Sequence, residues 1–348
     1  MESSRRTVLV TGASSGIGLA TAELLAARGF RVLAGVRSAA GREALAAFGS
    51  ANIETVSLDV TCADQVECLM ERIGELSPEG LYALVNNAGI GPPAAVELTD
   101  LDELRQILEV NTLAPLRMMQ ACLPLLRRGR GRIVCMSSMN GTIALPMVGA
   151  YSASKFALEA LCDSLRVELR PWKIPVTVIR PGQVSTSIFA KARIALSERS
   201  QMIPAELAEG YSRLYARAAK FNERGAGMGA KPQAVARVVL KALNARRPRA
   251  SYIVGLDAWG LQALQRILPT RWLDSLLASA SGATMERDTT SEHSASLSDK
   301  LTTSEAEGDR GQIPAACAAE CSDPLLRPMT EILAKEPGIN AGPNMSGQ

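Results

Sequence analysis

A chain of 348 residues, 47% hydrophobic and 21% charged, is expected to form one or two globular domains around a sizeable core. Its net charge of +3, without a basic stripe interleaved with aromatics, argues against nucleic acid as a partner. Its one histidine, His293, lies in a low-complexity stretch, which excludes a Ser-His-Asp hydrolase and a histidine-ligated metal enzyme, so no metal is expected.

Met1–Arg6 runs straight into an apolar strand pattern over 7–11 and leaves no room for a signal peptide. Gly12-Ala13-Ser14-Ser15-Gly16-Ile17-Gly18 follows, and a helical pattern runs from Leu19 to Ala27. Strand, glycine-rich turn and helix in that order build an anion site, because the glycines admit a phosphate close to the backbone at a helix N-terminus. The spacing is G-x-x-x-G-x-G rather than G-x-G-x-x-G, and alone it also suits a plain structural turn.

Further strands are predicted over 31–36, 53–58, 81–86, 131–137 and 175–180, alternating with helical patterns, and a seventh over Tyr252–Gly255. Such alternation predicts an α/β fold: a doubly wound parallel sheet, Rossmann-type, of about seven strands. Residues from about 187 to 230 are helical but irregular and end in Gly225-Ala226-Gly227-Met228-Gly229, as a small helical substrate cap would. A helix is predicted from Lys231-Pro232 onward. The stretch 256–280, with Trp259 and Trp272, is amphipathic; it suits packing against the domain or a peripheral membrane contact. No apolar run approaches the length of a membrane span. The catalytic domain is thus expected over 1–280, and 281–348, rich in Ser, Thr, Glu, Gly and Pro, is expected to be a disordered tail. Seven cysteines without framework spacing predict reduced thiols in a cytoplasmic protein.

Chemistry concentrates at strand ends and on one helix turn. Tyr151 and Lys155 are four apart and share a helix face. A cation beside a phenol is expected to lower its pKa from about 10, giving a proton donor and acceptor for neutral pH. Ser138 closes the strand over 131–137, and Asn86-Asn87-Ala88-Gly89 closes another. Ligands of such sheets bind outside the carboxyl ends of the strands, where all these residues fall.

Seven ordered motifs carry a resemblance: TGASSGIG (11–18), LDV (58–60), NNAG (86–89), Asn111 in EVNTLAP, SS (137–138), YSASK (151–155) and PGQVST (181–186). Over residues 7 to 255 the sequence resembles a classical short-chain dehydrogenase/reductase. The resemblance implies a nicotinamide cofactor held by Gly12, Ser14, Ser15, Gly16, Ile17 and Gly18 at the turn. It places Asp59 and Val60 at the adenine, with helix capping as the other reading of Asp59, and Asn87, Ala88 and Gly89 along the sugar. Pro181, Gly182, Val184 and Thr186 would orient the nicotinamide carboxamide. In chemistry, Tyr151 would exchange a proton with the substrate oxygen and Ser138 would hydrogen-bond that oxygen. Lys155 would lower the Tyr151 pKa and hold the nicotinamide ribose, and Asn111 would position a water linking Lys155 to solvent.

Val36 stands where NAD-using members carry aspartate, and Arg37 follows it. A guanidinium pairs with a 2′-phosphate, so NADP(H) is the expected cofactor and NAD(H) the alternative. Ala34-Gly35-Val36-Arg37, Phe156–Leu161 and Tyr252–Gly255 are similar to the retinol dehydrogenase and 17β-hydroxysteroid dehydrogenase branch. That implies a small apolar substrate of bulky shape: a steroid, retinoid or long-chain carbonyl or alcohol. Ile188, Phe189, Ile194, Met202, Ile203, Leu207, Tyr211, Leu214 and Tyr215 would line its pocket or pack the cap itself. Family members commonly pair through the helices around 112–128 and 151–170, so a homodimer is expected. Two other functions fit less well. An oxoacyl carrier-protein reductase needs a basic docking surface that is not evident, and a non-catalytic nucleotide sensor has no use for Ser138, Tyr151 and Lys155 together.

Overall fold

The computed structural model describes residues 6–283, and the expected tail lies almost wholly beyond them. Seven strands form one parallel sheet: β1 (Thr7–Val10), β2 (Arg31–Val36), β3 (Ile53–Ser57), β4 (Ala83–Asn86), β5 (Arg132–Met136), β6 (Val176–Pro181) and β7 (Ser251–Val254), in the order β3-β2-β1-β4-β5-β6-β7. The connecting helices are α1 (Gly16–Ala27), α2 (Ala39–Ala47), α3 (Ala63–Leu76), α4 (Leu101–Leu108), α5 (Ala114–Arg128), α6 (Gly149–Glu168), α7 (Ser187–Gln201), α8 (Ala208–Met228), α9 (Pro232–Asn244), α10 (Leu256–Ile267) and α11 (Thr270–Ser281).

The central strands are mostly apolar because both faces are covered, whereas the edge strand β3, Ile-Glu-Thr-Val-Ser, is only partly buried. Side chains alternate between two cores. Leu9, Leu33, Leu84, Ile133 and Val178 pack against α3, α5 and α6. Val8, Val10, Val32, Val134 and Ile179 pack against α1 and α9, through Leu25, Val235 and Val239. The chain reverses direction across the sheet between β1 and β4, which opens a crevice at their carboxyl ends.

Two boundaries differ from the sequence reading, and one helix faces in a direction that the sequence left open. The first helix begins at Gly16, inside the glycine turn, rather than at Leu19. The cap is two helices, and α8 runs through Gly225 and Gly227 to Met228 instead of breaking there. Gly225 is close-packed in that helix: a Cβ there would lie 2.8 Å from the Phe189 ring. In α10 the apolar stripe faces outward. Leu256 (91% exposed), Trp259 and Ile267 meet solvent, whereas Gln262 is buried. In α10 the buried positions are thus Ala258 and Gln262, whereas in α11 Leu273 packs inward. No helix among the described residues is long and apolar enough to cross a membrane.

Candidate active site

The glycine turn hangs between neighbouring strands. Thr11 N donates to Val85 O and Ala13 N to Gly35 O, each at 3.0 Å. Gly12 and Gly16 take φ of 63° and 56°, the left-handed region that glycine occupies without strain. A Cβ at Gly12 would lie 2.8 Å from Ala88 Cα. The Thr11 hydroxyl accepts from the Asn87 and Ala88 N–H groups at 3.0 and 3.1 Å, and Asn87 Nδ2 donates back to Thr11 O and Gly12 O. The Asn87 side chain thus clamps the turn, leaving its neighbours' backbone to face a ligand. Ser14 packs on the start of α2 at Gly41, Ile17 joins the α1 core, and Gly18 lies buried under Gly12 O. Ser15 caps α1 without a side-chain bond, so its exposed hydroxyl stays available at the crevice.

One hollow adjoins this turn, and a second lies beyond the ends of β2 and β3. A cleft of about 260 Å³ is bounded by Ser15, Gly16, Thr186 and Ser187. A cavity of about 570 Å³ is bounded by Arg37, Asp59, Thr61, Arg105 and Val110. Asp59 does not cap α3, which begins behind Cys62; its Oδ1 accepts from Thr61 N and Oγ1 at 3.0 and 2.7 Å. Those bonds, with Arg37 3.8 Å away, hold its carboxyl below the usual aspartate value. Val60 is buried, and its carbonyl accepts from Arg117.

The reacting groups gather where β4, β5 and β6 end. Ser138 follows β5, and its Oγ accepts from Asn140 N at 3.2 Å. Tyr151 and Lys155 lie one turn apart near the start of α6, and Lys155 Nζ is 5.7 Å from the Tyr151 ring centroid. Ser138 lies near the Tyr151 hydroxyl and acts to lower its pKa, against the larger effect of burial. Lys155 is 3% exposed, and Nζ donates to Met136 O at 2.9 Å. Two of its three N–H donors therefore point into the buried site without a protein acceptor among the described residues. Burial pushes its ammonium down to about 8, while Cys135, Cys162 and Glu159 pull the other way.

Residues 6–196 match the short chain dehydrogenase family. The chain belongs to that family. It is 36% identical over 278 residues to human retinol dehydrogenase 16, a match covering 78% of this chain and 87% of that protein. It is 35% identical over 272 residues to 3-amino-tetrahydro-pyrrolizinone reductase of Xenorhabdus hominickii, covering 78% and 94%. Among solved structures, a short-chain dehydrogenase from Streptomyces avermitilis aligns with a TM-score of 0.62 at 28% identity, over 79% of this chain and 98% of that one. A short chain dehydrogenase from Burkholderia cenocepacia, in complex with NADP, aligns with a TM-score of 0.61 at 25% identity, over 80% and 99%.

A nicotinamide dinucleotide fits this short-chain dehydrogenase. The glycine turn is a cradle that side chains would fill, and the buried Lys155 donors lack acceptors that a ribose supplies. Gly89 lies against this ammonium: a Cβ there would be 3.5 Å from Nζ. Thr186 meets the turn, its Cγ2 3.0 Å from where a Gly16 Cβ would lie. Pro181 ends β6, and Val184 bridges to Ala230.

One expectation needs correction. Burial raises the Tyr151 phenol above the ordinary tyrosine value; Ser138 offsets this only in part, and Lys155 does not lower it. Enclosure outweighs the neighbouring charge, and the ammonium is directed at Met136 O. Asn111 lies in a π-helical turn, Glu109–Leu113, where its Oδ1 accepts from Ile90 N, and Nδ2 donates to Ile90 O and Ser154 Oγ. Its side chain pins the β4 loop to α6; both amide N–H groups are engaged there, and Oδ1 keeps one lone pair. The sequence reading missed Thr11, whose place at a strand end signals a turn acceptor. It also missed Ser154, which relays Asn111 to Tyr151 O at 2.7 Å.

Proposed function

We propose that this enzyme is an NADP(H)-dependent oxidoreductase that interconverts a bulky apolar alcohol with its ketone or aldehyde. The observation that carries the chemistry is the grouping of the buried Lys155 with the half-buried Ser138 and Tyr151 beside the glycine-turn crevice. The bound nicotinamide supplies or accepts the hydride. In reduction Tyr151, held protonated by its surroundings, gives its phenolic proton to the substrate oxygen. The Ser138 hydroxyl donates to the same oxygen as negative charge develops there. Lys155 offers its free N–H groups to ribose hydroxyls and, once so engaged, stabilises the phenolate left on Tyr151.

NADP(H) over NAD(H) is supported by Arg37, 75% exposed at the rim of the adenine-side cavity, with Val36 instead of a carboxylate at the end of β2. Asp59 is too distant for a tight pair, so the guanidinium is available to a phosphate. The apolar substrate is supported by human retinol dehydrogenase 16 among the relatives and by Ile188, Met202, Phe221 and Met228, which the cap leaves exposed. Leu196 and Tyr215 instead pack inward on Ala95 and Met147, with Ile203, Tyr211 and Leu214 around them, so part of the cap's apolar set serves the cap itself. A homodimer is supported by the exposed stripe Phe156, Ala160 and Val167 on α6.

The test measures NADPH and NADH binding by fluorescence, and NADPH consumption with steroids, retinoids and aliphatic aldehydes. Tyr151→Phe should lose at least about a hundredfold in turnover and keep its NADPH affinity. Arg37→Asp should reverse the NADPH preference. Turnover that survives in Tyr151→Phe, or an unchanged cofactor ratio in Arg37→Asp, refutes the corresponding assignment.

A further inference from the structure

The backbone that ends β6 is held by a carboxylate from a distant part of the chain. Asp257 lies in the first turn of α10, and its Oδ2 accepts from Gln183 N at 2.6 Å. Ordinary sheet pairing stops one residue earlier, where Gly182 N donates to Val254 O at 2.8 Å. Asp257 thus continues the hydrogen-bonded frame past the end of the sheet. On its other side the segment is fixed to Ala230, which donates to Gln183 O and accepts from Ser185 N, both at 2.9 Å.

The approach of this carboxylate is built into two glycines. A Cβ at Gly182 would lie 2.3 Å from both Asp257 oxygens, and one at Gly255 would lie 2.3 Å from Oδ1. Gly255 also takes a φ of 110°, open to glycine but not to other residues. An acidic residue in a first helical turn normally answers its own helix dipole. This one also reaches across to another strand's end. One atom in the held segment is left over: Gln183 Nε2 is buried without a protein acceptor. A Cβ at Gly225 would lie 3.1 Å from this nitrogen, so the amide is held between the end of β6 and α8 with a donor to spare.

We propose that Asp257 is a positioning residue, fixing the Pro181–Gly182–Gln183 backbone against which the nicotinamide end of the cofactor lies. The inference rests on the reading of this site as an NADP(H) site. A charge-assisted bond to a main-chain N–H is a strong, directional constraint. Small displacements of a reacting group are costly, about a hundredfold for 1 Å. Remote from the adenine-side cavity bounded by Arg37 and Asp59, the carboxylate should affect only one half of the dinucleotide.

The experiment compares wild type, Asp257→Ala and Asp257→Asn by three readouts: NADPH affinity, affinity for 2′,5′-ADP, and the fluorescence of bound NADPH. Asp257→Ala should weaken NADPH about tenfold and reduce the enhancement of nicotinamide emission, while 2′,5′-ADP affinity stays within twofold. Asp257→Asn keeps an acceptor oxygen without the charge and should recover most of the loss. A merely structural role would weaken both ligands together, and that result overturns the proposal. So does unchanged NADPH affinity in Asp257→Ala. If the wild type binds 2′,5′-ADP and NADPH no better than NADH, the cofactor reading fails first, and the inference with it.

Discussion

Lys155 carries a charge that the ligand-free fold does not favour, and removing it should stabilise the protein while abolishing its activity. The perturbation is Lys155→Met, which keeps an unbranched apolar stem of similar length in the same buried space. Burial lowers the ammonium from the ordinary 10.5 to about 8, which costs roughly 3 kcal/mol at pH 7 and roughly 1.5 kcal/mol at pH 9.5 by linkage. The sign follows from proton counts. Between those two values the unfolded chain binds more protons than the folded one, so wild-type stability rises with pH there. The cost is therefore full below pH 8 and fades toward pH 10.5. Losing the bond to Met136 O offsets part of the gain, by about 1 kcal/mol at any pH. Lys155→Met should thus be more stable than wild type by about 2 kcal/mol at pH 7 and nearly equal to it at pH 9.5. Urea unfolding of both ligand-free proteins at the two pH values, followed by tryptophan fluorescence, measures the gap. A variant less stable than wild type at pH 7, or a gap that does not narrow with pH, would refute the reasoning.

Three other outcomes follow from the same geometry. Arg180 and Glu159 form a two-bond ion pair at 2.8 and 2.9 Å, with side chains 16% and 8% exposed; Arg180→Met should cost about 3–5 kcal/mol in urea unfolding. Adding Glu159→Leu should recover most of that loss, because no unpaired charge remains. Gly91 packs over the face of the Tyr151 ring, and a Cβ there would be 2.6 Å from Cδ2. Gly91→Ala should therefore lower kcat about tenfold or more with NADPH affinity nearly unchanged, in steady-state kinetics paired with fluorescence titration. NADPH affinity should fall as pH rises through about 8, where Lys155 loses its proton, and Lys155→Met should bind more weakly with a flat profile.

Much of this fold is legible in the sequence because strands β1, β4 and β5 are apolar runs that give way to small polar or glycine residues. Thr7–Val10 gives way to Thr11-Gly12, and Arg132–Met136 to Ser137-Ser138. A change from burial to polarity at a carboxyl end marks both the strand boundary and the crevice. Helix α10 was harder for a definite reason. Periodicity shows that Leu256, Trp259 and Ile267 share a face, but not which face turns inward. Gln262 and Gln265 go inward because Thr142, in the loop after Ser138, offers them its hydroxyl and carbonyl oxygens. That partnership spans more than a hundred residues of sequence. Asp257 is hidden in the same way, since nothing near it in the chain marks Gln183 as its donor.

The Tyr151–Lys155 spacing was read for charge alone, and charge was only part of the physics. Four residues of helix bring the two side chains together, but the same packing withdraws both from water, and burial acts on each toward its neutral form. Tyr151 rises and Lys155 falls, so the ligand-free pair is less activated than two isolated groups at that spacing would be. Ribose hydroxyls on the unmatched Lys155 donors would favour the ammonium, and a held ammonium in turn favours the phenolate. Activation of the phenol is then a property of the cofactor-loaded site. In the function proposed above, Tyr151 would then exchange its proton readily only with the dinucleotide in place.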